Sequence, residues 1–194
     1  MSDIRERLDY LVERLGSAYD SIGHSSGRPF VYFVYPPEQE LLMRALAEEH
    51  LRNTSTLCFH HVDLLPLTIE TLSGQEERRQ ALLNSPGKHP DAPDAVMRLW
   101  ARAVGREIAA ALQCSPSPAR PVVVLRGLAA LHPLGDPTAL MEAIGEQEMV
   151  NPATGRMPPV VILVPGIRPP QTSRTYLFLG REDLRKELYR GEEV

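Results

Sequence analysis

The amino-acid sequence predicts an α/β fold, a mostly parallel sheet of about five strands with helices on both faces, with residues 1–194 as a single α/β domain. Three observations carry this. β-Branched and aromatic runs alternate with segments whose apolar residues recur at helical spacing. Two runs, Pro121-Val122-Val123-Val124-Leu125 and Pro159-Val160-Val161-Ile162-Leu163-Val164, are apolar throughout, as strands covered on both faces must be. A long amphipathic stretch from about Pro93 to Gln113 can only be a helix.

Taken in order, Ser2 can cap a first helix with Asp3 in its first turn, and Ile4, Leu8, Leu11, Val12 and Leu15 form its apolar stripe. Gly16 suits its stop, and Ser21 to Gly27 reads as a loop. Pro29-Phe30-Val31-Tyr32-Phe33-Val34-Tyr35 is a buried strand by propensity. Pro36-Pro37 ends it and Glu38 and Glu40 favour a helix start, with Leu41, Leu42, Ala45 and Leu46 expected inward. Thr56 to Val62 is the second strand, and Asp63 can cap a helix bearing Leu64, Leu67 and Leu72. A polar stretch from Ser73 to Asp91 holds a short helix near Glu76 to Leu83.

The helix from Pro93 to Gln113 presents Val96, Leu99, Trp100, Ala103, Val104, Ile108, Ala111 and Leu112 as one face, a core face rather than a partner groove. After the third strand, Gly127 and Leu128 to Leu134 form a turn and connector. Asp136-Pro137 starts a helix with Leu140, Met141 and Ile144 inward. Pro165-Gly166 is expected to end the fourth strand. Thr175 to Leu179 is the expected fifth, and Leu184 to Arg190 a short helix or edge strand. The 18 prolines cluster at such element ends, among them Pro116, Pro118, Pro158-Pro159 and Pro169-Pro170.

Composition narrows the function. A hydrophobic fraction of 43% with a formal charge of −4 describes a globular chain without the basic field that gathers nucleic acid. Cys58 and Cys114 stand alone, with no CxxC, which fits a reduced intracellular protein. The charged start, Met1-Ser2-Asp3-Ile4-Arg5-Glu6, is unlike a signal peptide, and no apolar run reaches the roughly 20 residues of a membrane span. A cytoplasmic location is expected.

Ligands of parallel sheets bind at the carboxyl ends of the strands, so those turns are where chemistry is sought. A phosphate loop needs glycine N–H donors, yet the first turn reads Tyr35-Pro36-Pro37-Glu38. Gly87-Lys88 is followed by His89 rather than Ser or Thr, and reads as a surface loop. The third strand ends in Leu125-Arg126-Gly127, where magnesium would need an oxygen ligand. The fourth ends in Val164-Pro165-Gly166, with no polar group.

In Cys58-Phe59-His60-His61-Val62-Asp63, alternation separates Cys58 and His60 from His61 and Asp63, so no face collects a zinc set. His50 and His132 accompany no nucleophile motif, and Glu48-Glu49 and Glu76-Glu77 read as solvated charge. No catalytic residue, cofactor site or metal site is expected. Tyr189 beside Arg190 suits an interface anchor, or equally a tack of the chain end onto the sheet. With Arg168 and Arg174, these form the candidate partner-binding set.

The opening amphipathic helix, Phe30-Val31-Tyr32-Phe33 with Tyr35-Pro36-Pro37-Glu38, and the ending form an ordered set of segments. The ending runs through Val160-Val161-Ile162-Leu163-Val164-Pro165-Gly166, Thr172-Ser173-Arg174, Leu177-Phe178-Leu179-Gly180 and Leu188-Tyr189-Arg190. Together they resemble the BrxB family, a small component of BREX bacteriophage-defence systems. The likeness spans nearly the whole chain; Ser73 to Asp91 matches in general character, and Leu188-Tyr189 departs from the family's doubled aromatic.

The resemblance implies a non-enzymatic subunit of a defence complex whose neighbours are the alkaline-phosphatase-like protein PglZ, a DNA methyltransferase and a large ATPase. PglZ is the expected partner, and the family offers no catalytic residues to carry over. By analogy, the sheet is a degenerate P-loop-like core without a nucleotide site. The alternative is a nucleotide-sensing domain that binds through Arg126, Arg168 and Arg174. A nuclease fits least, given the acidic balance and the missing carboxylate cluster.

Overall fold

The computed structural model describes residues 4–24, 26–88, 90–114, 118–147, 151, 154–170, 172 and 174–194. The Ser2–Asp3 cap, His89, Pro116 and Ser173 lie outside these residues, as does the Cys114 side chain.

Five parallel strands form the centre of a seven-stranded sheet: β1 (Phe30–Tyr35), β2 (Leu57–Asp63), β3 (Arg120–Arg126), β4 (Val160–Ile167) and β7 (Gly191–Glu193). Their order is β2-β3-β4-β1-β7. The other two, β5 (Thr175–Phe178) and β6 (Arg185–Glu187), are antiparallel and extend from the end of β4. The sheet is therefore mostly parallel, as expected, but the fifth parallel strand is β7 and not the Thr175 segment. β4 also runs through Pro165-Gly166 instead of stopping there. Proline is tolerated because Pro165 sits opposite Tyr35 while its carbonyl accepts from the Leu179 amide at 2.9 Å. At Gly166 an added Cβ would lie 2.8 Å from the Leu177 carbonyl oxygen, so the antiparallel partner approaches only because the residue is glycine.

Alternation along the strands divides the core into two layers. On one face Phe30, Tyr32, Val34, Val123, Leu125, Val160, Ile162 and Val164 pack under α3 (Leu64–Thr71), α5 (Ala92–Cys114) and α6 (Pro137–Gly145). On the other, Val31, Phe33, Tyr35, Val122, Val124, Val161 and Leu163 meet α1 (Ile4–Ser17) and α2 (Glu40–His50). Trp100 of α5 is buried, with its indole N–H donating to the Thr68 carbonyl at 3.3 Å, the core role expected for that face. Asp63 and Asp136 cap α3 and α6 through the amides of Leu65 and Ala139. The polar α4 (Glu76–Asn84) buries no residue.

β2 is an edge strand, and the preceding segment blunts it. Asn53 Oδ1 accepts from the Phe59 amide at 2.7 Å, and the Leu57 carbonyl accepts from the Thr54 amide at 2.9 Å. At the opposite edge, Arg14 pairs with Glu192 at 2.8 Å and Arg7 donates to the Val34 and Val194 carbonyls, fastening β7 to α1. Among the described residues no helix is long and apolar enough to cross a membrane.

Candidate functional site

The chain leaves β1 toward the distant edge strand β2 and leaves β4 in the other direction, to β7 outside β1. The crevice outside the carboxyl ends of β1 and β4 is thus the switch point at which sheets of this class bind ligands. Protein fills it. Pro36 and Pro37 form a tight turn after β1, so the amides that would cradle a phosphate are missing. The antiparallel β5 lies on the last residues of β4, and a Cβ added at Gly180 just after it would lie 3.2 Å from Ile167 and 3.8 Å from Pro37.

The neighbouring strand ends carry a closed network of charges. Arg44, in the second turn of α2, donates to Glu40 Oε1 at 2.9 Å and, in a fork, to Asp63 Oδ2 at 2.6 Å and Oδ1 at 3.3 Å. Asp63 Oδ1 also accepts from the Leu65 amide, and Oδ2 lies 3.4 Å from Arg126 Nε. Arg126 donates to Glu48 Oε1 at 2.8 Å, and the Tyr35 hydroxyl donates to Glu40 Oε2. Gly127, at φ 72°, makes room: a Cβ there would sit 2.7 Å from both Arg44 and Asp63.

This arrangement shifts the titration of Asp63, Glu48, Arg44 and Tyr35. Burial would raise the Asp63 pKa, but the hydrogen bonds from Arg44 and Leu65 outweigh it and hold the carboxyl below its ordinary range. The Arg126 hydrogen bond likewise lowers Glu48, and the bond to Asp63 raises Arg44. Burial, then the bond to Glu40, pushes the Tyr35 hydroxyl well above its usual value. Asp63 is an ionised carboxylate whose two oxygens are both engaged, so it offers neither a base nor a metal ligand. Arg44 and Arg126 are already neutralised. The network can stabilise a surface; it has no free group for chemistry.

Glu48 is exposed, the solvated charge expected of it, and α2 also brings it to Arg126 at the end of β3. Glu49 lies 3.6 Å from Arg5. His61 Nε2 donates to the Leu51 carbonyl at 2.7 Å, and burial lowers its pKa. His60 lies 3.4 Å from Cys58 on the other face, as alternation requires. Among the described residues no group of three His, Cys, Asp or Glu could hold a metal ion.

The candidate partner-binding residues separate into two places. Arg168 follows β4 and pairs with Glu193 of β7. Arg174 is exposed and donates to the Leu188 carbonyl at 3.4 Å. Tyr189 is half-buried: its ring packs 6.5 Å from that of Phe30, and its carbonyl accepts from the Tyr32 hydroxyl at 3.0 Å. It tacks the chain end onto the sheet. Arg190, exposed at φ 42°, covers its ring. Of the three arginines considered for a nucleotide, Arg126 and Arg168 are each matched by carboxylates.

An apolar surface rings the same end of the sheet. Leu41 is 83% exposed, and Leu42, Leu65, Ile69 and Ile167 are about half exposed. Leu41 and Leu42 lie in the first turn of α2, Leu65 and Ile69 one turn apart on α3, and Ile167 at the end of β4. Of the large apolar side chains exposed among the described residues, only Tyr10 lies elsewhere, on α1. Singly exposed apolar residues are ordinary; here five of them belong to segments at one end of one sheet. The inward face expected for α2 is corrected accordingly: Met43, Leu46 and Ala47 are buried, while Leu41 and Leu42 point to solvent.

The sequence carried a faint sign of this surface. Leu64-Leu65-Pro66-Leu67 with Ile69 makes α3 apolar on both sides, more than one buried face requires. No family model matches the chain, no curated protein matches its sequence, and no solved structure matches its fold.

Proposed function

We propose that the chain is a non-enzymatic adaptor that acts by binding another protein at the carboxyl end of its sheet. One observation carries the reading: the place where a nucleotide would sit is filled by the chain's own groups and surrounded by exposed Leu41, Leu42, Leu65, Ile69 and Ile167. Exposed apolar side chains gathered beside a polar cluster supply the apolar contacts on which a docking face is built. The resemblance to the BrxB family extends the proposal to a cytoplasmic subunit of a BREX-type anti-phage complex, with the alkaline-phosphatase-like protein PglZ as partner. The order of the five parallel strands is compatible with the likeness to a P-loop-type core, which by itself carries no function.

Co-purification of the chain with PglZ tests the reading, together with titration calorimetry against ATP and magnesium. The adaptor binds PglZ and releases no heat with the nucleotide. A chain that binds ATP at micromolar concentration, or that leaves PglZ unbound, overturns it.

A further inference from the structure

We infer that the carboxyl-end surface takes an amphipathic segment whose apolar side chains are flanked by Lys or Arg; this rests on the docking reading above and adds the chemistry of the partner. The first support is the shape of the apolar set. Leu65 and Ile69 lie four residues apart on one side of α3. Leu41 is on α2, across the Arg44–Asp63 pair. An exposed apolar pair one helical turn apart fits the apolar stripe of a helix.

The second support is charge. Within the network three carboxylates, Glu40, Glu48 and Asp63, face two guanidinium groups, those of Arg44 and Arg126. Glu38, one turn before Leu42, and Glu70, beside Ile69, are exposed and make no ion pair among the described residues. Arg181 and Arg185, on the adjoining loop, are held by Asp183 and Glu182. Arg79 lines a pocket with Ile69, and the five carboxylates Glu38, Glu40, Glu48, Asp63 and Glu70 outnumber the three guanidinium groups Arg44, Arg79 and Arg126, so the apolar set is bordered by net negative charge. A cationic flank relieves it, and an anionic one adds repulsion in a partly desolvated setting. A second copy of the chain, docked through the same face, would bring Glu38 and Glu70 against an equally acidic rim, so the occupant is a different protein.

The experiment uses the full chain and two synthetic amphipathic helices of about 18 residues, five turns, with identical leucine faces. One is flanked by lysine and the other by glutamate. Fluorescence titration gives the affinities, and hydrogen exchange locates the contact. The lysine-flanked helix binds about tenfold or more tightly than the glutamate-flanked one and protects the first turns of α2 and α3. Leu65→Glu with Ile69→Glu abolishes binding, Tyr10→Glu leaves it unchanged, and Glu38→Lys with Glu70→Lys narrows the preference.

Equal affinities, protection elsewhere, binding of neither helix, or self-association of the chain through this face overturns the inference. A peptide result of that kind leaves PglZ binding to be decided by co-purification, and a failed co-purification leaves the peptide preference standing, so the two failures are distinct.

Discussion

Asp63 joins three jobs in one side chain. It caps α3, forks onto Arg44 and approaches Arg126. Replacing it with Ala removes the cap and leaves two cations short of an acceptor. We expect a loss of about 2 to 3 kcal/mol in urea unfolding, discounted for the partial exposure of the pair. Asp63→Asn keeps an acceptor for the Leu65 amide and costs about 1 kcal/mol. Equal losses in the two variants would show that the charge, not the cap, matters.

His61 gives the molecule a pH dependence. Its folded pKa lies below the unfolded one because burial disfavours the imidazolium. The stability that it contributes is full above about pH 6.5, the unfolded value, and is lost as pH falls below it. His61→Gln should flatten the fall in unfolding free energy between neutral and mildly acidic pH. His60, lowered by burial and by His61, adds a slope of the same sign.

Between elements, the turn after β3 decides how closely α2 and α3 approach. Gly127 has the left-handed φ that other residues adopt at a cost of about 1 kcal/mol, and a Cβ would intrude on Arg44 and Asp63. Gly127→Ala is therefore expected to lower stability by about 1 to 2 kcal/mol and to loosen the Arg44–Asp63 pair; an unchanged unfolding midpoint would contradict this.

Helices and central strands were legible in the sequence because their apolar periods are long and unbroken, as in α5 and in Val122 to Leu125. The face of α2 was not. Apolar residues occur on both sides of Leu41-Leu42-Met43, and periodicity alone does not say which side the sheet covers. Strand β7 was hidden as well, since Gly191-Glu192-Glu193 has no strand propensity. Arg14, Arg168 and the β1 backbone hold it from a distance in sequence.

At the scale of the whole molecule, a sheet whose switch point suits a ligand has that end closed by its own chain. The stripped turns at Pro36-Pro37 and Arg126 could be read from sequence because each needed only residue types at strand ends, whereas Pro165-Gly166 lies inside β4. What fills the space could not. The Arg44–Asp63–Arg126 network joins residues from three elements, and its members meet only once β2 and β3 are paired.

The surface that follows from this closure, five exposed apolar side chains at the carboxyl end of the sheet, is where we propose that binding occurs. The most direct measurement is calorimetric titration of the intact chain with purified PglZ, wild type beside Leu65→Glu/Ile69→Glu. Binding by the wild type and its loss in the variant, with an unchanged fold, are expected. Binding of equal strength by both, or none by either, would contradict it.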